Sequence, residues 1–284
     1  MRIQSFLVQG AGSALAGRLG LLTAPQPPDA LVLMSLGVDQ ATLLDSLKQH
    51  KEKIQDRKVY VTETYGILGF DQDLKQNVEL MEKGRGSEYG CCGGSGGQGC
   101  VAIGYYDGAI AGHTDDFPKD VASLMVVADQ SKSWAAVQAK APLHYGGITK
   151  QCWKVNTEGN EISLVEVPYF WVADNQGAMT GVATFKGDAA EATKSLLQEL
   201  PKGYKTTGDV GLFPCFTRGV NEYGEENVES TVIGSVMPSP RIYGMFAHGE
   251  LGPTSFASFT DKPNNLPCTQ HGSTSILSIH RDKN

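Results

Sequence analysis

The chain has 284 residues, with 24 Lys and Arg against 31 Asp and Glu, a formal net charge of −7. That length buries a substantial core, while the mild acidity and the absence of any Lys/Arg run argue against a nucleic-acid surface. No stretch approaches about 18 uninterrupted apolar residues, so no membrane span is expected, and 6 cysteines are too few for a disulfide scaffold. The expectation is a cytoplasmic protein with reduced thiols.

The start of the chain faintly mimics a signal peptide, but Gln4, Gln9, Ser13 and Arg18 interrupt what would be a continuous apolar core. Residues before Gly10 can form a strand. Ala30–Leu36, a short apolar run after Pro25, Pro27 and Pro28, reads as a buried strand. From Gln40 to Ile54, Leu43, Leu44, Leu47 and Ile54 recur at helical spacing behind Asp39, a ready cap. Lys58–Thr64 alternates, so strand, helix and strand form a crossover unit in a partly parallel sheet.

Gly84 to Gly99 contains 8 glycines and cannot pack a core, so it reads as a surface loop, with a flexible lid or ligand loop as the alternative. Next, Cys100–Tyr106 and Ala109–His113 flank Asp107-Gly108, a hairpin signal. Val121–Ala128 is a further apolar run, and Ser131–Lys140 reads as a short helix. Turn residues cluster near Pro142 to Gly147, which suggests a division into residues 1–145 and 146–284. In the second half, Ile162–Val167 and Ala178–Phe185 alternate, and Ala189–Leu200 is a helix ended by Pro201 and Gly203. Val210–Phe216, Arg241–Ala247 and Thr274–Ile279 read as strands, and Glu225–Val236 as a helix. Helices alternating with strands and hairpins predict a mixed α/β (or α+β) fold, with two related modules of mixed sheets flanked by helices.

Gly10 and Gly12 invite a dinucleotide-loop reading, but the next glycine is Gly17 and Asp29 sits in a proline-rich turn. The glycine run lacks the Lys-Ser/Thr pair of a phosphate loop. Cys91 and Cys92 are adjacent, which suits zinc poorly, and no histidine pair fixes two ligands on one face. No cofactor and no metal are therefore expected.

The densest chemistry lies between Cys215 and Glu250. One apolar strand ends at Cys215, Thr217, Arg218 and Gly219, and another at His248, Gly249 and Glu250. Strand ends that open into glycine turns are where mixed sheets place ligand-contacting groups. If the two strands are neighbours, Arg218 and Glu250 meet at one rim, as an ion pair or as a ligand contact. Cys215 is a candidate nucleophile and His248 its candidate base, should the protein be an enzyme.

Four blocks in this half resemble the C-terminal part of the FIST-domain family. They are VGLFPCFTRG from Val210 to Gly219, Tyr223 to Asn227 with Glu229, Pro240 to Gly252, and HGSTSILS from His271 to Ser278. The stretch from Asp29 to about Ala111 resembles a diverged FIST N-terminal region. The chain is thus similar to the FIST portion of the F-box only protein 22 group, with no F-box-like segment ahead of it. The resemblance implies a module that senses a small ligand or recruits a protein partner. It carries over Cys215, Arg218, Gly219, Asn227, Glu229, Gly244, Gly249, Glu250 and His271. An enzyme derived from that scaffold and a scaffold without a small ligand are the alternatives.

Overall fold

A computed structural model describes residues 2–10, 12–23, 26–82, 97–118, 121, 123–130, 143–158, 161–174, 180–200, 205–254, 257–259 and 268–282. Most of the glycine run, with Cys91 and Cys92, lies outside the described residues, as do the expected helix Ser131–Lys140 and Met179.

The chain divides into three successive stretches. The first runs β1 (Arg2–Gln9), α1 (Ser13–Leu22), β2 (Ala30–Leu36), α2 (Gln40–Lys48), α3 (Lys51–Ile54), β3 (Lys58–Glu63), β4 (Gly66–Asp71), β5 (Gln76–Met81) and β6 (Gly99–Tyr106). The second holds β7 (Ala109–Gly112), β8 (Leu124–Asp129), β9 (His144–Thr149), β10 (Gln151–Asn156), β11 (Ser163–Glu166) and β12 (Tyr169–Asp174). The third begins with β13 (Thr180–Phe185), α4 (Ala189–Glu199), β14 (Lys205–Pro214), α5 (Val220–Tyr223), α6 (Val228–Val236) and β15 (Arg241–Met245). It ends with β16 (Glu250–Pro253), β17 (Ala257–Phe259), β18 (Cys268–His271) and β19 (Ser275–Asp282).

One strand order recurs in all three sheets: β1-β6-β2-β3, β7-β12-β8-β9 and β13-β19-β14-β15. Each time the last strand of the stretch lies antiparallel between the first two, and the second pairs in parallel with the third. Each core is then extended by strands from another stretch. β10 and β11 join the first sheet, β16 and β18 the second, and β4 and β5 the third, where β17 forms the opposite edge. Strand pairing therefore crosses residue 145 in both directions, and residue 145 itself lies within β9. The repeat is invisible to a search for a sequence period because the middle stretch is much shorter than the other two.

The fold is mixed α/β, with sheets flanked by helices. Inner faces of all three sheets meet in one core that includes Val32, Met34, Tyr60, Val127, Tyr145, Phe213 and Tyr243. On the outer face of the first sheet, Leu15, Leu19 and Leu22 of α1 and Leu43 and Leu47 of α2 cover Leu31 and Leu33. On the outer face of the third, α4 and α6 place Leu196 and Ile233 against Val210, Leu212 and Ile279. Burial on both faces explains why Ala30–Leu36 is apolar at every position but the buried Ser35 rather than alternating. Asp39 caps α2 as expected, accepting from the Thr42 N–H at 2.9 Å. The helix expected from Gln40 to Ile54 is broken at Gln49 and His50 into α2 and α3.

Two local readings change. Asp107 and Gly108 both have positive φ, 64° and 89°, as their turn chemistry predicts. The strands they join do not pair, however: β6 stays in the first sheet, and β7 crosses to the second beside β12. The start of the chain supplies the strand expected before Gly10, as edge strand β1, and adds the packed helix α1, which the sequence reading does not include. Gly10 and Gly12 lie between them with positive φ, and the Gly10 N–H donates to Gln98 O.

Candidate functional site

Strands β14 and β15 are parallel neighbours, so the two polar strand ends do fall side by side. Cys215 and Ala247 form a parallel bridge just beyond them. The chain continues from β15 through His248 and Gly249 into β16, which pairs with β9 of the second sheet. Here the carboxyl ends of the three parallel pairs converge, joined by bonds between sheets. Lys150 N–H donates to Glu63 O, and His248 N–H donates to Ile148 O. The backbones approach closely: a Cβ on Gly147 would lie 2.5 Å from that of Ala247.

Side chains from all three sheets gather at this end. Tyr65, from the corner after β3, lies 5.8 Å from the His248 ring and 5.4 Å from Phe216, and Phe216 lies 5.1 Å from His248. The Lys150 ammonium sits 5.2 Å over the Tyr65 ring, 2.9 Å from Glu82 and 3.8 Å from Glu63. The Tyr65 hydroxyl donates to the Gln130 side-chain oxygen. Burial, and then the negative charges of Glu82, Glu63 and Asp129, raise the Tyr65 phenol above its ordinary range. His248 is exposed, while Tyr65 and Phe216 are half-buried. The cluster thus presents rings, one ammonium and two carboxylates side by side.

Cys215 and Glu250 lie in the same region. Cys215 is 5% exposed, and its sulfur accepts from the Thr217 hydroxyl at 3.2 Å. Its backbone N–H donates to Thr274 O, and the Thr274 hydroxyl donates to Glu250 Oε2 at 2.9 Å. Glu250 is fully buried, and its Oε1 has no hydrogen-bond partner among the described residues. Burial pushes its carboxyl up to about 7; donation from Thr274 and the nearby Cys215 thiol oppose this only in part. A buried acid with one open oxygen, near neutrality, can give or take a proton at a site from which bulk water is excluded.

Arg218 does not pair with Glu250. Its Nε donates to Glu229 at 2.5 Å, and the guanidinium also bonds Lys186 O, Gly187 O and the Tyr223 hydroxyl. Glu229 further accepts from Ser275, at 3.1 and 2.9 Å, and from Tyr223. The separation follows from strand geometry. Thr274 holds Glu250 and its neighbour Ser275 holds Glu229, and side chains of successive strand residues point to opposite faces. The expected rim contact is therefore replaced by two carboxylate sites back to back.

The other predicted residues divide accordingly. Gly219, at φ 67°, turns the chain into α5, where a Cβ would meet the Met81 sulfur and the Phe246 ring at 2.9 Å. Asn227, also left-handed, precedes α6 without a side-chain cap bond, and its side-chain oxygen accepts from the Glu79 N–H at 2.6 Å instead. Arg218, Tyr223 and Glu229 line an open pocket of about 350 Å³. His271 lies opposite Glu250 in the β16–β18 pair, its Nε2 3.3 Å from Gly252 O, and Gly249, at φ 120°, packs beneath Gln270. Sequence reasoning missed Tyr65, Lys150, Phe216 and Glu79. Tyr65 and Lys150 each follow a parallel strand, which was the available signal.

No group of three or more His, Cys, Asp or Glu side chains is placed to hold a metal among the described residues. No helix among them is long and apolar enough to cross a membrane. Neither a family model nor a curated protein matches the chain.

Proposed function

We propose that the protein is a binding module of FIST type, sensing a small ligand at the face where Tyr65, Lys150, Phe216 and His248 converge. The observation that carries this reading is that convergence: side chains from three separate sheets meet at the carboxyl ends of three parallel strand pairs, the end at which open α/β sheets hold ligands. The chemistry suits a small zwitterion of the amino-acid type. Lys150 and His248 face its carboxylate, Glu63 and Glu82 its ammonium, and the rings cover its apolar part. The resemblance agrees through the blocks that bring Cys215 and Glu250 to this end, while Arg218 lines the pocket on the other face. Recruitment of a protein partner would use the same face, with the exposed His248 ring beside the half-buried Tyr65 and Phe216.

Calorimetry of the full chain against amino acids and small organic acids tests the proposal. A saturable heat that Lys150→Ala and His248→Ala each abolish is expected. A heat untouched by both changes, or none across the panel, overturns it.

A second reading, an enzyme using Cys215, is favoured by one feature: the Thr217 hydroxyl and the Glu250 carboxyl both neighbour the thiol. It requires alkylation of Cys215 that is fast at neutral pH and slowed by Glu250→Gln. An ordinary rate in the native chain removes its basis.

A further inference from the structure

The opposite end of the third sheet carries a separate feature. There the hairpin β4–β5, contributed by the first stretch of the chain, packs against α6, the start of β15 and the bulged start of β14. Two adjoining pockets of about 420 and 540 Å³ open along this seam, and Phe70 and Ser239 line both. Their walls are amides, hydroxyls and two cations, Lys75 in one lobe and Arg241 in the other, with no Asp or Glu among the lining residues. Asp209 offsets the charge of Arg241, so the net positive charge facing the seam comes from Lys75, and Arg241 adds guanidinium donors.

The cations are set differently. Lys75 is exposed, at the tip of the hairpin. Arg241 is fixed by Asp209, which accepts from its Nε at 3.0 Å, and by Thr207 O, which leaves Nη1 without a hydrogen bond among the described residues. Asn77 pins the seam by donating to Pro240 O and accepting from the Ile242 N–H, each at 2.9 Å. Of the five non-glycine residues with positive φ among those described, three line the 420 Å³ lobe: Lys75, Asn227 and Ser239. Left-handed backbone in non-glycine residues costs free energy, so its concentration here means that the surroundings hold the pocket in one shape.

We infer that this seam is a second binding site, for a hydroxyl-rich small molecule bearing anionic groups, the chemical class of sugar phosphates. Phe70 is the platform for the carbon skeleton, the amide and hydroxyl walls meet its hydroxyls, and Lys75 and Arg241 meet its charged ends. The site is independent of the face proposed above, since it lies at the amino ends of β14 and β15.

The test is an NMR titration of the full chain with fructose 1,6-bisphosphate, with inorganic phosphate and sorbitol as separate arms. Saturable shifts at Phe70, Lys75, Asn77 and Ser239 are expected with the bisphosphate, weaker ones with phosphate, and none with sorbitol. Lys75→Glu and Thr231→Glu, both at exposed positions, are each expected to weaken binding roughly tenfold or more. No saturable shift in these residues, equal binding of sorbitol, or binding indifferent to both variants overturns the inference.

Discussion

Glu229 and Glu250 are both buried, and both are held by consecutive residues, Ser275 at the start of β19 and Thr274 just before it, yet their surroundings differ in kind. Glu229 has a guanidinium, a phenol and a serine hydroxyl around it. Glu250 has a threonine and a thiol and, among the described residues, no cation and one oxygen without a partner. A compensated buried acid is a structural fixture that locks α6 and the turn at Arg218. An uncompensated one costs stability in its charged form and persists where a proton or a ligand donor can meet it.

The largest expected effect tests the compensated member. Arg218→Ala leaves Glu229 buried without its cation, and denaturant unfolding is expected to show a loss of about 3–5 kcal/mol. A loss below about 1 kcal/mol would break the comparison. Glu250→Gln has the opposite sign. The folded carboxyl titrates at about 7, above the ordinary value of 4.5, so the native state binds the proton more tightly than the unfolded state. Its protonation therefore supports folding fully below about 4.5, and that support is lost as pH rises through about 7. The variant is expected to be more stable than the native chain by about 2–3 kcal/mol at pH 8, with the difference vanishing near pH 4. Glu79, raised by burial to about 7, contributes the same sign in both proteins, so the difference between them isolates Glu250.

The adjacent hydroxyls give smaller effects that sharpen the contrast. Thr274→Val removes a donor to the Glu250 carboxylate, so its cost, about 1 kcal/mol, appears at pH 8 and fades at pH 5, where the acid is neutral. Ser275→Ala is expected to cost about 1 kcal/mol through Glu229. Equal pH profiles for these two variants would erase the distinction drawn here.

Local chemistry carried much of the fold. Asp39 followed by the leucines of α2 marked a helix start, and the apolar run of β2 marked a strand buried on both faces. What could not be read is which sheet a strand joins. The turn at Asp107-Gly108 has the backbone of a hairpin turn, yet its flanking strands separate, because pairing is decided by partners far along the chain. For the same reason the exchange of hairpins among the three stretches left no periodic trace. At the site, the polar strand ends at Cys215 and His248 were legible one by one, and only the parallel pairing of β14 and β15 makes them neighbours. The partner of Arg218 was not, since Glu229 and Glu250 are equally plausible carboxylates until β19 sets them on opposite faces. Tyr65 and Lys150 reach the cluster only through contacts between sheets.

The most direct test is the side-chain carboxyl titration of Glu250, followed by carbon-detected NMR of the full chain and assigned with Glu250→Gln. A midpoint near 7 is the predicted result. A midpoint at the ordinary glutamate value, between about 4 and 5, would contradict the account.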